Sequence, residues 1–171
     1  MFKINDVVIY GSQGVCRIVG IEEQKVDGTI KKYFVLKPAQ EKGATFFVPT
    51  WNEKAWGKMR KLMTKEDINA LIDSMPRKIP VWIANENERK ETNKKILASG
   101  DRSAIISMVQ ALYIHKKERE AEGKRLHISD EYFMKDAEQI LYNEWQYVLN
   151  VDRAGLMDYI FGRIENHRET E

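Results

Sequence analysis

The sequence predicts an α+β chain in two domains, a small Tudor- or SH3-like β-barrel at the N-terminus followed by an all-α helical bundle. Three observations carry this. Short β-branched and aromatic runs separated by glycine-containing turns fill the first fifty residues, the pattern of a small all-β unit. After Trp56 the apolar spacing changes from two to about 3.6, the period of a helix. Between the halves, Ser74-Met75-Pro76-Arg77-Lys78-Ile79-Pro80 holds two prolines in five residues, which no helix interior accommodates. The boundaries that follow are 1–60 for the β domain, 61–80 for a short helix and proline-containing linker, and 81–171 for the helical domain.

Taken in order, Val7-Val8-Ile9-Tyr10 is a β-branched and aromatic run stopped by Gly11-Ser12-Gln13-Gly14. Val15 to Ile21 and Lys32 to Lys37 form two further runs, with Asp27-Gly28 between them. Asp-Gly is a hairpin signal because both central residues of a type I′ turn need positive φ. Thr45-Phe46-Phe47-Val48-Pro49 is the last clear strand, closed by its proline. Thr64 suits an N-cap, with Asp67 three residues on, for a helix carrying Ile68, Leu71 and Ile72. A charged helix is expected from Trp82 to Leu97, ending at Ser99-Gly100-Asp101 with Gly100 just past its last turn. Asp101 then caps a helix with Ala104, Ile105, Met108, Val109, Leu112 and Tyr113 at helical spacing, and Ser129-Asp130-Glu131 opens another. A last helix runs from about Asp152 to Ile164.

Composition bounds the function. A hydrophobic fraction of 43% with 32% charged residues is that of a packed globular chain. The single cysteine, Cys16, excludes an internal disulfide framework and a paired-cysteine zinc site, and fits a reducing compartment. No secretory leader and no run of about 20 apolar residues is present, so the expectation is a cytoplasmic protein without a membrane span. The net charge of +2 conceals a gradient: residues 1–74 carry +3, residues 75–125 carry +5 and residues 126–171 carry −6.

No constellation for catalysis emerges. Cys16 reads as a packed strand thiol, since all three histidines lie in the helical half. The acidic pairs Glu22-Glu23 and Asp130-Glu131 lack metal or acid/base spacing, and Gly11-Ser12-Gln13-Gly14 is a turn too short to cradle phosphate. The reading is a non-enzymatic binding protein with no cofactor and no metal. Tyr142, Trp145 and Tyr147 sit where a bundle needs volume. Trp82 differs, because it leaves the linker beside Arg77, Lys78, Arg89, Lys90, Lys94 and Lys95. A flat apolar side chain among cations is the equipment for unstacking a base step while neutralising phosphate. Against this stand the interleaved Glu86, Glu88 and Glu91, which pair part of that charge, and the alternative that Trp82 packs internally.

Together, FKINDVVIYGSQGVCRIVGIE, KKYFVLKPA, FFVP, ILASGDRSAIISMVQALY and DAEQILYNEW resemble the CarD/CdnL family of bacterial transcription regulators over nearly the whole chain. The first part is also similar to the polymerase-interacting module of transcription-repair coupling factors. The resemblance implies that the β domain binds the RNA polymerase β subunit by strand addition. It implies that the helical domain reaches the upstream edge of the promoter bubble, where a tryptophan wedges into the minor groove. The polymerase-facing positions it implies are Gln24, Lys25, Lys31, Phe46, Phe47 and Pro49, with Gln24 and Phe47 standing where known members place arginines. The DNA wedge it implies is Trp82, four residues before the position aligned near Glu86, a register expected of Firmicutes-type members. The backbone contacts it implies are Arg77, Lys78, Arg89, Lys90, Lys94 and Lys95, with Lys116, Lys117, Lys124 and Arg125 as further cations. Positions often basic in the family read Glu131, Asp136 and Glu138 here, so promoter DNA is expected to bind weakly without polymerase. The competing reading is a polymerase-binding adaptor with no DNA role. Self-association through an exposed strand edge is a further expectation.

Overall fold

The computed structural model describes residues 2–40, 42–77 and 80–169, and it divides into two compact units. The first comprises residues 1–64 together with 143–150; the second comprises 65–142 and 151–171.

The first unit is a five-stranded antiparallel sheet in the order β4-β3-β2-β1-β5. Its strands are β1 (Val7–Tyr10), β2 (Val15–Val26), β3 (Thr29–Pro38), β4 (Phe46–Pro49) and β5 (Met59–Lys61). The β2–β3 hairpin turns at Asp27 and Gly28, whose φ values are 51° and 77°, the positive pair that the Asp-Gly signal predicts. A bulge in β2 between Ile18 and Gly20 shifts the register against β3 and leaves Val19 without a direct partner. Alternate residues face a core of Val8, Cys16, Ile18, Phe34, Leu36, Val48 and Met59, edged by Phe2, Tyr10, Phe46, Ala55 and Trp56. Each fully buried aliphatic chain there contributes about 1.5–3 kcal/mol of transfer free energy. The one-turn helix α1 (Glu53–Trp56), capped by Asn52, connects β4 to β5.

One further segment belongs to this unit. The last turns of the helix Ile128–Leu149 supply residues 143–150. Glu144, 1% exposed, accepts the Met63 backbone N–H at 2.7 Å, and Arg17 donates to the Tyr147 hydroxyl at 3.3 Å.

The second unit is built from α2 (Lys65–Ser74), α3 (Glu86–Ser99), α4 (Arg102–Ala121), most of α5 (Ile128–Leu149) and α6 (Arg153–Glu169). Its buried positions are Ile68 and Ile72 of α2, Ile105, Ile106, Met108, Ala111 and Leu112 of α4, Ala137 and Leu141 of α5, and Leu156 and Ile160 of α6. Tyr113, expected on the apolar face of α4, is instead 51% exposed, because the packed stripe runs through Ile106 and Ala111. Gly100 ends α3 in the left-handed region at φ 63°, and Asp101 caps α4 by accepting from the Ser103 and Ala104 N–H groups. α2 and α6 are tied by Tyr159 on Asn69 and by a two-bond ion pair between Arg163 and Asp73. No helix among the described residues is long and apolar enough to cross a membrane.

Two local expectations are corrected. β5 was not foreseen; Met59-Arg60-Lys61 has little strand propensity and is a strand because it pairs with β1. The helix expected from Trp82 begins at Glu86, because Asn85 caps it by accepting the Glu88 N–H at 3.0 Å. Trp82 therefore lies in the segment before α3, four residues ahead of Glu86 and outside the helix.

Candidate functional site

In the first unit the candidate face is built on the sheet edge. β4 is the terminal strand, paired with β3 through Tyr33–Pro49, Phe34–Val48, Val35–Phe47 and Leu36–Phe46. Because side chains alternate along a strand, Phe46 and Val48 turn to the core, with Phe46 against the Tyr10 ring at 5.7 Å. Phe47 turns the other way and is 44% exposed. The alternation thus separates two residues that the sequence placed together: Phe47 is the one presented outward.

Gln24 and Lys25 sit opposite Lys31 and Ile30 near the hairpin end, with Lys25 exposed and Gln24 and Lys31 half-buried. The Lys31 ammonium lies 5.4 Å from the Trp51 ring centroid, within cation–π reach. Trp51 in turn meets Tyr33 edge-on at 4.9 Å. Trp51 is 48% exposed and Ile30 is 65% exposed. Neither was singled out from sequence; the available signal was a lone tryptophan two residues beyond the proline that ends β4.

In the second unit the basic cluster resolves into cations with different duties. Arg89 is buried: its Nε and Nη2 donate to the two carboxylate oxygens of Asp130 at 2.9 and 2.8 Å, and its Nη1 donates to the Ile83 and Ala84 carbonyls at 2.9 and 3.3 Å. These bonds engage four of the five N–H donors of the guanidinium, so Arg89, expected at a phosphate, serves chiefly as an internal anchor of the second unit. Lys90 pairs with Glu86, which also meets His127 at 3.4 Å. The Lys90 hydrogen bond, more than any other neighbour, holds the Glu86 carboxyl below its ordinary range. Lys116 and Lys117 approach Glu120, and Lys124 pairs with Glu122 at 2.8 Å. Lys94 and Lys95 are exposed on α3, and Arg77 is exposed at the end of a 3-10 turn. Lys78 lies outside the described residues.

Trp82 is half-buried. Its ring stacks on the His115 imidazole with centroids 3.8 Å apart and an interplanar angle of 22°, and the Arg89 guanidinium carbon lies 4.4 Å from its centroid. The neighbouring Val81 is 82% exposed. On α5, Glu131 and Asp136 are exposed, while Glu138 is half-buried with Arg153 at 3.3 Å.

Cys16 is fully buried, and desolvation pushes its thiol above the ordinary 9.0. The thiolate is the nucleophilic form, so this cysteine packs. No group of three or more His, Cys, Asp or Glu among the described residues is arranged to hold a metal ion. The two candidate faces are an apolar and aromatic strand edge, and a tryptophan with lysines nearby. Compared with known families, residues 2–63 match the model of the CarD-like/TRCF RID domain, an RNA polymerase-interacting domain.

Proposed function

We propose, from the match of residues 2–63 to the CarD-like/TRCF RID domain, that the chain is a regulator bridging polymerase and promoter DNA. In this reading the β4 edge of the first unit adds to a strand of the polymerase β subunit, with Phe47 and Trp51 as apolar anchors. Main-chain pairing supplies affinity and the outward side chains supply specificity. The second unit then meets DNA at the upstream edge of the bubble through Trp82, with Lys94, Lys95 and Arg77 toward the phosphates. No bond is made or broken. The open promoter gains in population because the protein binds it more tightly than the closed one.

The observation that carries the reading is the family match over a domain whose terminal strand directs Phe47 outward. Phe47→Ala is expected to weaken binding to the β subunit by about 1–3 kcal/mol. Trp82→Ala is expected to leave that binding intact and to shorten the lifetime of the open complex. Equal polymerase affinity for wild type and Phe47→Ala removes the β4 edge from the interface.

The adaptor reading, with no DNA role, is favoured by one feature: Arg89, Lys90, Lys116, Lys117 and Lys124 all have acidic partners. Trp82→Ala with an unchanged open-complex lifetime selects it. Under the bridging reading, binding to naked duplex at physiological salt stays weak, because the exposed Glu131 and Asp136 repel phosphate and Lys90, Lys116, Lys117 and Lys124 already face carboxylates.

A further inference from the structure

We propose that His115 is the positioning residue for Trp82, its imidazole setting the plane in which the indole is held for contact with DNA; this rests on the reading of Trp82 given above. The backbone beside Trp82 is already fixed. Arg89, anchored on Asp130, ties down the carbonyls of Ile83 and Ala84, the two residues that follow Trp82. That anchor places the backbone, and the same guanidinium bounds the side-chain torsions of Trp82 from 4.4 Å off its ring centroid.

The closer flat partner that restricts them is His115, its ring stacked 3.8 Å from the indole centroid. It stands on α4, a twenty-residue helix, so its own position is set by a regular element. An aliphatic neighbour could cover the indole, but only a planar ring at stacking distance fixes its tilt. Because Trp82 is half-buried, the stack leaves part of the indole uncovered. The His115 Nδ1 lies 3.4 Å from Glu118, and the Arg89 guanidinium lies over the same indole.

The test uses the full chain and two readouts. In the free protein, the indole N–H resonance of Trp82, identified by its loss in Trp82→Phe, is compared among wild type, His115→Ala and His115→Phe. The expected result is a resonance displaced in His115→Ala and returned toward its wild-type position in His115→Phe, which restores a stacked ring; a resonance unmoved in His115→Ala overturns the proposal. On promoters, His115→Ala is expected to shorten the open-complex lifetime about two- to tenfold, the worth of an aromatic pair. Affinity for polymerase should stay unchanged, and His115→Phe, which restores a flat partner, should recover the lifetime. If Trp82→Ala shortens the lifetime while His115→Ala does not, the proposal falls and the DNA reading stands. If Trp82→Ala itself has no effect, the DNA reading falls and takes the proposal with it, whatever the indole resonance shows.

Discussion

Replacing Asp130 with alanine tests the most heavily buried charge pair in the second unit. Arg89 and Asp130 have side chains only 8% and 1% exposed, and two hydrogen bonds of 2.9 and 2.8 Å join them. Without the carboxylate, Arg89 keeps its contacts to the Ile83 and Ala84 carbonyls, but Nε and Nη2 lose their acceptors in a site water scarcely reaches. Breaking a buried pair by removing one partner costs about 3–5 kcal/mol. Asp130 also sits in the first turn of α5, where a negative charge adds up to about 1 kcal/mol against the helix dipole. Set against a total stability of about 5–15 kcal/mol, this is a large fraction. With a urea slope of about 1.5 kcal/mol/M, the midpoint falls by about 2–3 M. The assay is urea unfolding followed by circular dichroism at the helical band. The double variant Arg89→Met, Asp130→Leu should recover most of the loss, since an apolar pair of similar volume replaces buried ions at little cost. A midpoint shift below about 0.5 M for Asp130→Ala, or a double variant no more stable than the single, refutes the reasoning.

Other outcomes follow from the same structure. Trp51→Ala removes the ring contacts to Tyr33 and Lys31 at a half-exposed site; stability should change by no more than about 1 kcal/mol, while polymerase affinity, measured by titration against the β subunit, should fall about tenfold or more. Glu144→Ala leaves the Met63 N–H without its 2.7 Å acceptor, and equilibrium unfolding should register a loss of about 1.5–3 kcal/mol, the range for a hydrogen bond to a charged group. Burial raises the Cys16 thiol above its ordinary 9.0, so the folded state retains that proton more tightly than the unfolded chain. Its contribution is complete below about pH 9 and is lost as pH rises through the folded value. Thermal unfolding between about pH 7 and 10.5 should therefore show an alkaline decline that is shallower in Cys16→Ala.

What could be read ahead of the structure was local. The Asp27-Gly28 turn and the Gly100-Asp101 stop and cap announce themselves because the chemistry of one or two residues decides the backbone there. β5 was illegible because its strand character comes from β1, some fifty residues earlier in the chain. The start of α3 was misread because the apolar Trp82 and Ile83 fit a helical period, while the decision belongs to the Asn85 side chain. At the candidate sites the same division holds. Phe46 and Phe47 are both expected polymerase contacts from the sequence, and it is period-two alternation, not composition, that turns Phe47 outward and Phe46 to the core. Arg89 was counted among free cations because nothing near it announces Asp130, forty-one residues away, as its partner. The Trp82 stack on His115, likewise, joins two segments that only the folded second unit brings together.

The use of residues 143–150 by the first unit has a consequence for synthesis on the ribosome. The stretch matched by the polymerase-interacting domain is complete by residue 63, but the acceptor for the Met63 amide arrives only with Glu144, about eighty residues later. At about 5–20 residues per second, the nascent sheet waits roughly 4–16 seconds for the helix segment that finishes it. During that interval the β4 edge is already made while its own unit is not, so the terminal strand is exposed to stray pairing before the domain reaches its final form.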